Sequence, residues 1–433
     1  MTAPSSALLT DHYELTMLQA ALSSGHAHRR CVFEAFARGL PQGRRYGVLA
    51  GTGRFLESLA DFRFGPSELD YLAEASVVDQ PTLDYLSTYR FTGDIWGYAE
   101  GEVYFPGSPL MVVESTFAEG VILETLILSM LNHDSAVASA ASRMTAAAGS
   151  RPCIEMGSRR THEGSAVAAA RAAYIAGFSG TSNLEAGRRH GIPTLGTAAH
   201  SFTLLHDDER AAFASQLSSL GEDTTLLVDT YDIPHGVALA VELAGPQLGG
   251  VRLDSGDLIS GAQEVRRQLD DLGAVDTHIV VTSDLDEFAI SALASAPVDS
   301  YGVGTQVVTG SGAPAAGMVY KLVSRENDAG VMEGVAKVSR DKASVGGRKF
   351  ALRRRNSTGV AQEEVVGVDQ PPVDDGDDRS LLIELVRDGA VVAATDAHTA
   401  RERHTASRAE LPTRALRMSN GESALPTTYL EGT

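Results

Sequence analysis

The sequence predicts an α/β fold around a parallel sheet, preceded and followed by α+β segments. Between residues 151 and 309 one unit recurs: a short apolar strand, a polar strand end, then an alanine-rich amphipathic helix. Strands that alternate with helices pair in parallel, because a parallel return needs a crossover. Polar residues gather at the C-terminal ends of seven such strands. That favours a closed or nearly closed α/β barrel, with a doubly wound open sheet as the alternative.

The strand ends read EMGSRR (155–160), GTSN (180–183), GTAAHSF (196–202), VDTYD (228–232), RLDSGD (252–257), TSDLDE (282–287) and GVGT (302–305). Helices are expected between most of them. Residues 164–176 are alanine-rich, 207–220 open on Asp-Asp-Glu, and 259–272 carry an apolar stripe. The flanks differ. Residues 11–22 read as a helix, 30–36 and 93–97 as strands, and 102–113 as a Gly/Pro-punctuated hairpin. After residue 310 come short strands, the charged turn 374–378 and a polar tail beyond Leu416, expected to be mobile. The expected domains are 1–125 (N-terminal α+β), 126–310 (α/β-barrel catalytic) and 311–433 (a C-terminal segment packing with the first).

The 433 residues are 43% hydrophobic and 6% aromatic, enough for a large core. A formal net charge of −20 disfavours nucleic acid and anionic membranes as partners. Any anionic substrate must be held by local basic groups. Cys31 and Cys153 stand far apart, which suggests neither a disulfide framework nor a zinc site and fits a reducing cytoplasm. The N-terminus lacks a basic run and meets Asp11 too early for a signal peptide. The apolar run 121–131 is short and carries Glu124, so no membrane span is expected there. Lysine occurs only at 321, 337, 342 and 349 in a chain whose other strong cations are arginines. A compact ammonium on a flexible stem suits a phosphate-binding segment; a solvated hairpin is the plainer reading.

In a barrel the strand ends converge on one mouth. They bring Arg159, Arg160, His200, Asp229, Asp232, Arg252, Asp254, Asp257, Asp284 and the Gly302/Gly304/Thr305 loop. Arginines and glycine-rich backbone N–H groups bind phosphate or carboxylate. Aspartates hold Mg²⁺, which bridges phosphates. Both together suit a phosphorylated sugar or nucleotide. A histidine where Gly, Thr and Ala leave room, as at His200, is a proton carrier, a metal ligand, a nucleophile or simply a packed loop residue. There is no G-x-x-x-x-G-K-[ST], G-x-S-x-G or H-E-x-x-H pattern.

The ordered set TDHYELTM (10–17), FEAFARGLP (33–41), EMGSRR, GFSGTSN (177–183), GTAAHSF, VDTYD, GVRLDSGDL (250–258) and GVGT resembles the nicotinate phosphoribosyltransferases, type II phosphoribosyltransferases, along nearly the whole chain. The resemblance implies an irregular, TIM-like α/β barrel with an α+β domain built from both flanks. It implies that nicotinate and 5-phosphoribosyl 1-diphosphate give nicotinate mononucleotide and diphosphate, coupled to ATP hydrolysis, with Mg²⁺, in NAD biosynthesis. It assigns His200 as the phosphohistidine, and Arg252 and Asp254 as its catalytic companions. Asp254 is also the expected Mg²⁺ or ribose contact. Nicotinate contacts fall on Tyr13, Arg159, Ser182 and Thr197; Tyr13 crosses from the partner subunit in this family, which implies a homodimer with shared active sites. Phosphoribosyl contacts fall on Arg252, Ser255, Gly256, Gly304 and Thr305. Lys337, Lys342 and Lys349 match a basic segment facing ATP or diphosphate. Nicotinamide-using relatives carry an acid where Ser182 stands, so Ser182 is read as part of an acid-selecting wall.

Three other readings compete. A quinolinate-using relative needs more cations and no ATP. A Schiff-base aldolase needs a lysine on a barrel strand, and there is none before Lys321. A ligand-sensing or scaffold protein on a decayed barrel is opposed by intact His200, Arg252, Asp254 and Thr305.

Overall fold

The structure, a computed structural model, describes residues 5–41, 43–337, 344–394 and 396–430. It divides into two compact units, Met1–Ser139 with Ala315–Thr433, and Ala140–Pro314.

The second unit holds a six-stranded sheet in the order Gly180–Thr181, Cys153–Glu155, Ser300–Val303, His278–Ser283, Gly250–Leu253, Thr225–Leu227. Every pairing is parallel. Thr194 adds an isolated parallel bridge to Thr181. Strands adjacent in sequence are adjacent in the sheet, except that Gly180–Thr181 and Thr225–Leu227 form its two edges, and the last strand returns to the first. Between the Thr194 edge and Thr225–Leu227 no strand pairing is present among the described residues, so the hydrogen-bonded sheet is open there. The expected strand before GTAAHSF shrinks to a bridge because Pro193 has no N–H to give. Only its carbonyl pairs, accepting from Thr181 N at 3.0 Å.

The strands read as continuous apolar runs because the sheet is covered on both faces. Leu226, Leu227, Val251, Leu253, Ile279, Val281, Tyr301 and Val303 are buried. Three helices fall where the sequence places them, Glu163–Ile175, Glu209–Leu220 and Leu258–Asp271, and Ile233–Ala244 adds a fourth between strand ends. Six alanines of Glu163–Ile175 are buried, and their small side chains permit close packing. Asn183, Asp208, Asp232, Asp257 and Asp286 each cap the helix that follows by accepting backbone N–H bonds. Each strand end is thus also a helix start, so all parallel strands present helix N-termini and polar side chains on the same edge.

The first unit interleaves the two flanks. Its seven-stranded sheet runs Met332–Gly334, Met318–Glu326, Arg30–Ala37, Pro109–Thr116, Asp94–Tyr98, Leu382–Arg387, Ala390–Val391, all antiparallel. A four-stranded sheet orders Arg379–Ser380, Lys349–Arg355, Ala361–Val368 and Thr427–Leu430. Within the tail expected to be mobile, Thr427–Leu430 forms a strand parallel to Ala361–Val368. This unit also holds a largely buried ionic network. Arg353, 0% exposed, reaches Glu102 at 2.8 Å and Glu364 at 2.5 Å, and Arg379 reaches Glu102 at 2.9 Å and Glu410 at 2.7 Å. Burial pushes the Glu102 carboxyl up, but Arg353 and Arg379 outweigh it and bring it down to about 2.

The helical stretch Phe117–Ala148 is long and apolar enough to cross a membrane, unlike the short run 121–131. Of its window 61% is buried inside the protein, as in a core helix. Both cysteines are free and buried.

Two outcomes test the first unit. Arg353→Met leaves the buried Glu364 without its cation and Glu102 with Arg379 alone, and should cost about 3–5 kcal/mol, read as a lower urea midpoint. His404, 1% exposed, is held neutral by burial and by Arg408 and Arg401, its pKa lowered from 6.5 to about 3. The folded value lies below the unfolded one. Its stabilisation is therefore complete above pH 6.5 and lost as pH falls towards 3. His404→Gln should flatten the fall of stability between pH 6.5 and 4.5; a fall as steep as in the parent would show that other groups govern it.

Candidate active site

The strand ends sort into two kinds. Asp232 and Asp257 are spent on capping, each accepting backbone N–H bonds of its own helix. Asp284 is exposed. The chemistry gathers instead on three adjacent strand ends and the loop before His200.

Arg252 is the hub. Its Nε donates to Thr282 Oγ1 at 2.9 Å, one terminal nitrogen to Asp254 Oδ1 at 3.0 Å, and the other to Thr197 Oγ1 and the Ala198 carbonyl, both at 3.1 Å. Thr282 in turn donates to Asp254 Oδ1. Burial pushes the Asp254 carboxyl up, but bonds from Thr282 and Arg252 and the charge of Arg252 bring it net below its ordinary value. The carboxylate is therefore ionised at neutral pH.

His200 opens the helix His200–Leu205, and its side chain is 40% exposed. Its Nδ1 lies 3.1 Å from Thr230 Oγ1. Its Nε2 lies between two carboxylates, 3.8 Å from Asp254 Oδ2 and 3.9 Å from Asp229 Oδ1. The Asp229 side chain is 1% exposed. Its Oδ2 accepts from Asp254 N and Ser255 Oγ, both at 2.8 Å, while its Oδ1 is buried with no hydrogen-bond partner. Next to it Gly256 adopts φ +82°, with no atom within 4 Å of a would-be Cβ, so this backbone lies open to a ligand.

The Glu155 end forms a second knot. Glu155 is buried, which pushes its carboxyl up; bonds from Thr181 and from Gly157 N offset part of this. Arg159 and Arg160 lie exposed on the 3-10 turn Ser158–Arg160, and Ser182 is exposed beside it, its N–H bonded to the Glu155 carbonyl at 2.8 Å. A Cβ on Gly157 would lie 2.2 Å from Val308 Cγ1 and 2.8 Å from the Gly304 carbonyl, so this turn packs directly on the Gly304–Thr305 loop.

The remaining predicted residues belong to the other unit. Tyr13, 44% exposed, sits on the helix His12–Ser23, and burial and the charge of Glu124 push its phenol up. Lys337 is exposed. Lys342 lies outside the described residues. Lys349 corrects its expectation as a nucleotide contact: it is 1% exposed and its ammonium is bound to Glu34 at 3.1 Å and to the Gly347 carbonyl at 2.8 Å. It begins a strand facing the interior, where an unpaired ammonium is not tolerated. Among the described residues, the set of three acids close enough to share a cation is Asp374, Asp375 and Asp378 in the first unit, not the strand ends.

Sequence reasoning passed over Thr282, Thr230 and Glu155. Each stood inside a quoted strand-end motif, and threonine at such an end is the available signal: its hydroxyl both donates and accepts.

Residues 8–132 match the model of the nicotinate phosphoribosyltransferase (NAPRTase) N-terminal domain. Nicotinate phosphoribosyltransferase pncB1 of Mycobacterium tuberculosis is 57% identical over 429 residues, covering 97% of this chain and 94% of the relative. The chain belongs to the nicotinate phosphoribosyltransferase family. The Bacillus subtilis nicotinate phosphoribosyltransferase is 37% identical over 363 residues, with 81% and 74% covered. The crystal structure of human nicotinic acid phosphoribosyltransferase superposes with a TM-score of 0.83 at 25% identity, covering 97% of each chain. The fold is also that of a nicotinate-nucleotide pyrophosphorylase from Pyrococcus furiosus, with a TM-score of 0.77 at 24% identity and 95% and 98% covered.

The contact between Gly157 and the Gly304 loop in this family member is directly testable. Gly157→Ala should destabilise the protein by about 1–3 kcal/mol, because the nearest obstacles include a backbone carbonyl. An unchanged thermal midpoint would show that the loop shifts freely.

Proposed function

We propose that this chain is an ATP-coupled nicotinate phosphoribosyltransferase. It takes nicotinate, 5-phosphoribosyl 1-diphosphate, ATP and water to nicotinate mononucleotide, diphosphate, ADP and phosphate. The observation that carries the reading is the setting of His200, in a chain 57% identical to a relative of that name. Two carboxylates beside Nε2 favour the proton on that nitrogen. Nδ1 then keeps its lone pair, bonded to the Thr230 hydroxyl. That nitrogen attacks the γ-phosphorus of ATP; the N–P bond forms, the P–O bond breaks and ADP leaves. The paired carboxylates compensate the proton left on Nε2. Water later cleaves the N–P bond and releases phosphate.

The synthetic step needs no general base. The pyridine nitrogen attacks C1 of the ribose as the C1–O bond to diphosphate breaks. Arg252 stabilises anionic charge at the strand ends, with Ser255, the open Gly256 backbone, Gly304 and Thr305 holding phosphate or ribose. Arg159, Ser182, Thr197 and Tyr13 are assigned to nicotinate, with Tyr13 given by a partner subunit in a homodimer. The setting is the cytoplasm, in NAD biosynthesis. The orphaned, buried Asp229 Oδ1 together with Asp254 Oδ2 fits a hard, partly hydrated cation in the synthetic step, when the pair is not compensating a proton on His200 Nε2. Mg²⁺ bound there would supply charge neutralisation for the departing diphosphate.

Incubation with nicotinate, phosphoribosyl diphosphate and Mg²⁺ should yield nicotinate mononucleotide, with ADP released when ATP is present. His200→Ala should abolish the ATP dependence first; a variant that keeps full coupling refutes the phosphohistidine. Ser182→Asp should raise the KM for nicotinate about tenfold through charge repulsion. Lys337→Met and Lys342→Met should weaken ATP binding, and unchanged affinity in both would make the segment a surface hairpin.

A further inference from the structure

We propose that Thr282 is a positioning residue that aligns the Arg252–Asp254 pair with the loop ending at His200, and that Gly302 exists to make room for it. The proposal rests on reading the strand-end cluster as the active site, and it concerns residues to which that reading gives no such role.

The hydroxyl of Thr282 is fully used: it accepts from Arg252 Nε at 2.9 Å and donates to Asp254 Oδ1. Asp254 Oδ1 also accepts from Arg252 at 3.0 Å. The three side chains close a ring. A guanidinium is planar and rigid, so attachment at two nitrogens fixes its plane. Its third nitrogen is thereby aimed at Thr197 Oγ1 and the Ala198 carbonyl, both at 3.1 Å. Those residues lie three and two positions before His200. Without the Thr282 hydroxyl, nothing holds Nε: the terminal nitrogens keep Asp254 and the loop, but the guanidinium plane can tilt and the aim of the loop contact loosens.

The methyl of Thr282 explains Gly302. The two residues are partners in adjacent parallel strands. A Cβ on Gly302 would lie 2.5 Å from Thr282 Cγ2 and 2.8 Å from Met156 Sδ. Threonine is stiff at χ1, so its methyl cannot yield without carrying the hydroxyl away from both partners. Gly302, first grouped with the phosphate-binding loop, has its would-be Cβ filled from inside the protein. Just after Thr282 the chain leaves the strand through Ser283 at φ +145°, a conformation rare for a residue with a side chain.

The test uses the full-length protein and four variants: Thr282→Val, Thr282→Ser, Gly302→Ala, and Gly302→Ala with Thr282→Ser. Thr282→Val keeps the shape and deletes the hydroxyl. It should lower kcat/KM for nicotinate about 10- to 100-fold, mainly through KM because Thr197 drifts. Thr282→Ser should restore it to near the parent. Gly302→Ala should be impaired, and the double variant should recover most of the loss. Exchange of the Arg252 Nε–H, followed by NMR and assigned by its absence in Arg252→Lys, should be slow in the parent and Thr282→Ser and fast in Thr282→Val. Parent-like kinetics and slow exchange in Thr282→Val overturn the proposal, as does equal impairment of Thr282→Val and Thr282→Ser. A parent that makes no nicotinate mononucleotide sinks the functional reading instead; the exchange rates then decide the positioning role alone.

Discussion

The Arg252 guanidinium is the interaction on which the active-site geometry depends. It joins three segments that share no local sequence: its own strand end, Thr282 on the next strand and the Thr197–Ala198 loop. A charged group only 12% exposed would be costly without partners, and here its bonds run to a carboxylate, two hydroxyls and a carbonyl. The same bonds keep Asp254 ionised beside His200. One side chain thus couples the electrostatics of the histidine to the position of the loop that carries it.

That hub depends on a plainer constraint. Parallel strands all end on one edge, and each end starts a helix whose first N–H groups need partners. Four of these ends use an Asn or Asp side chain as the cap. Of the carboxylates not used this way, Asp229 accepts from the Asp254 backbone N–H and from Ser255, and Asp254 accepts from Thr282 and Arg252. Capping and chemistry draw on the same residue types, and hydrogen-bond geometry separates them.

The alternation of strands and helices was legible because apolar periodicity is local, and helices such as Leu258–Asp271 fall within a residue or two of their expected spans. The motif-based resemblance was legible because the strand-end residues are contiguous in sequence. The shortened strand at Ile192–Thr194 was foreseeable from Pro193. Lys349 was not legible. Its neighbours in sequence suggested a solvated basic hairpin, while Glu34, more than 300 residues away, holds it inside. The same holds for the network of Arg353, Glu102 and Glu364, which nothing near any one of them announces.

The sequence by itself determined the class of elements, their order, the identity of the strand-end groups and the family to which they belong. Those properties follow from spacing and side-chain type along the chain. The tertiary structure alone decided which aspartates face His200, that Thr282 closes the ring around Asp254, and that Gly302 is small for the sake of Thr282. Each of these is a distance of about 2.5–4 Å between residues tens of positions apart. Hydrogen bonds and van der Waals contacts fall away within a fraction of an ångström at such range, so only the folded register of neighbouring strands can set them.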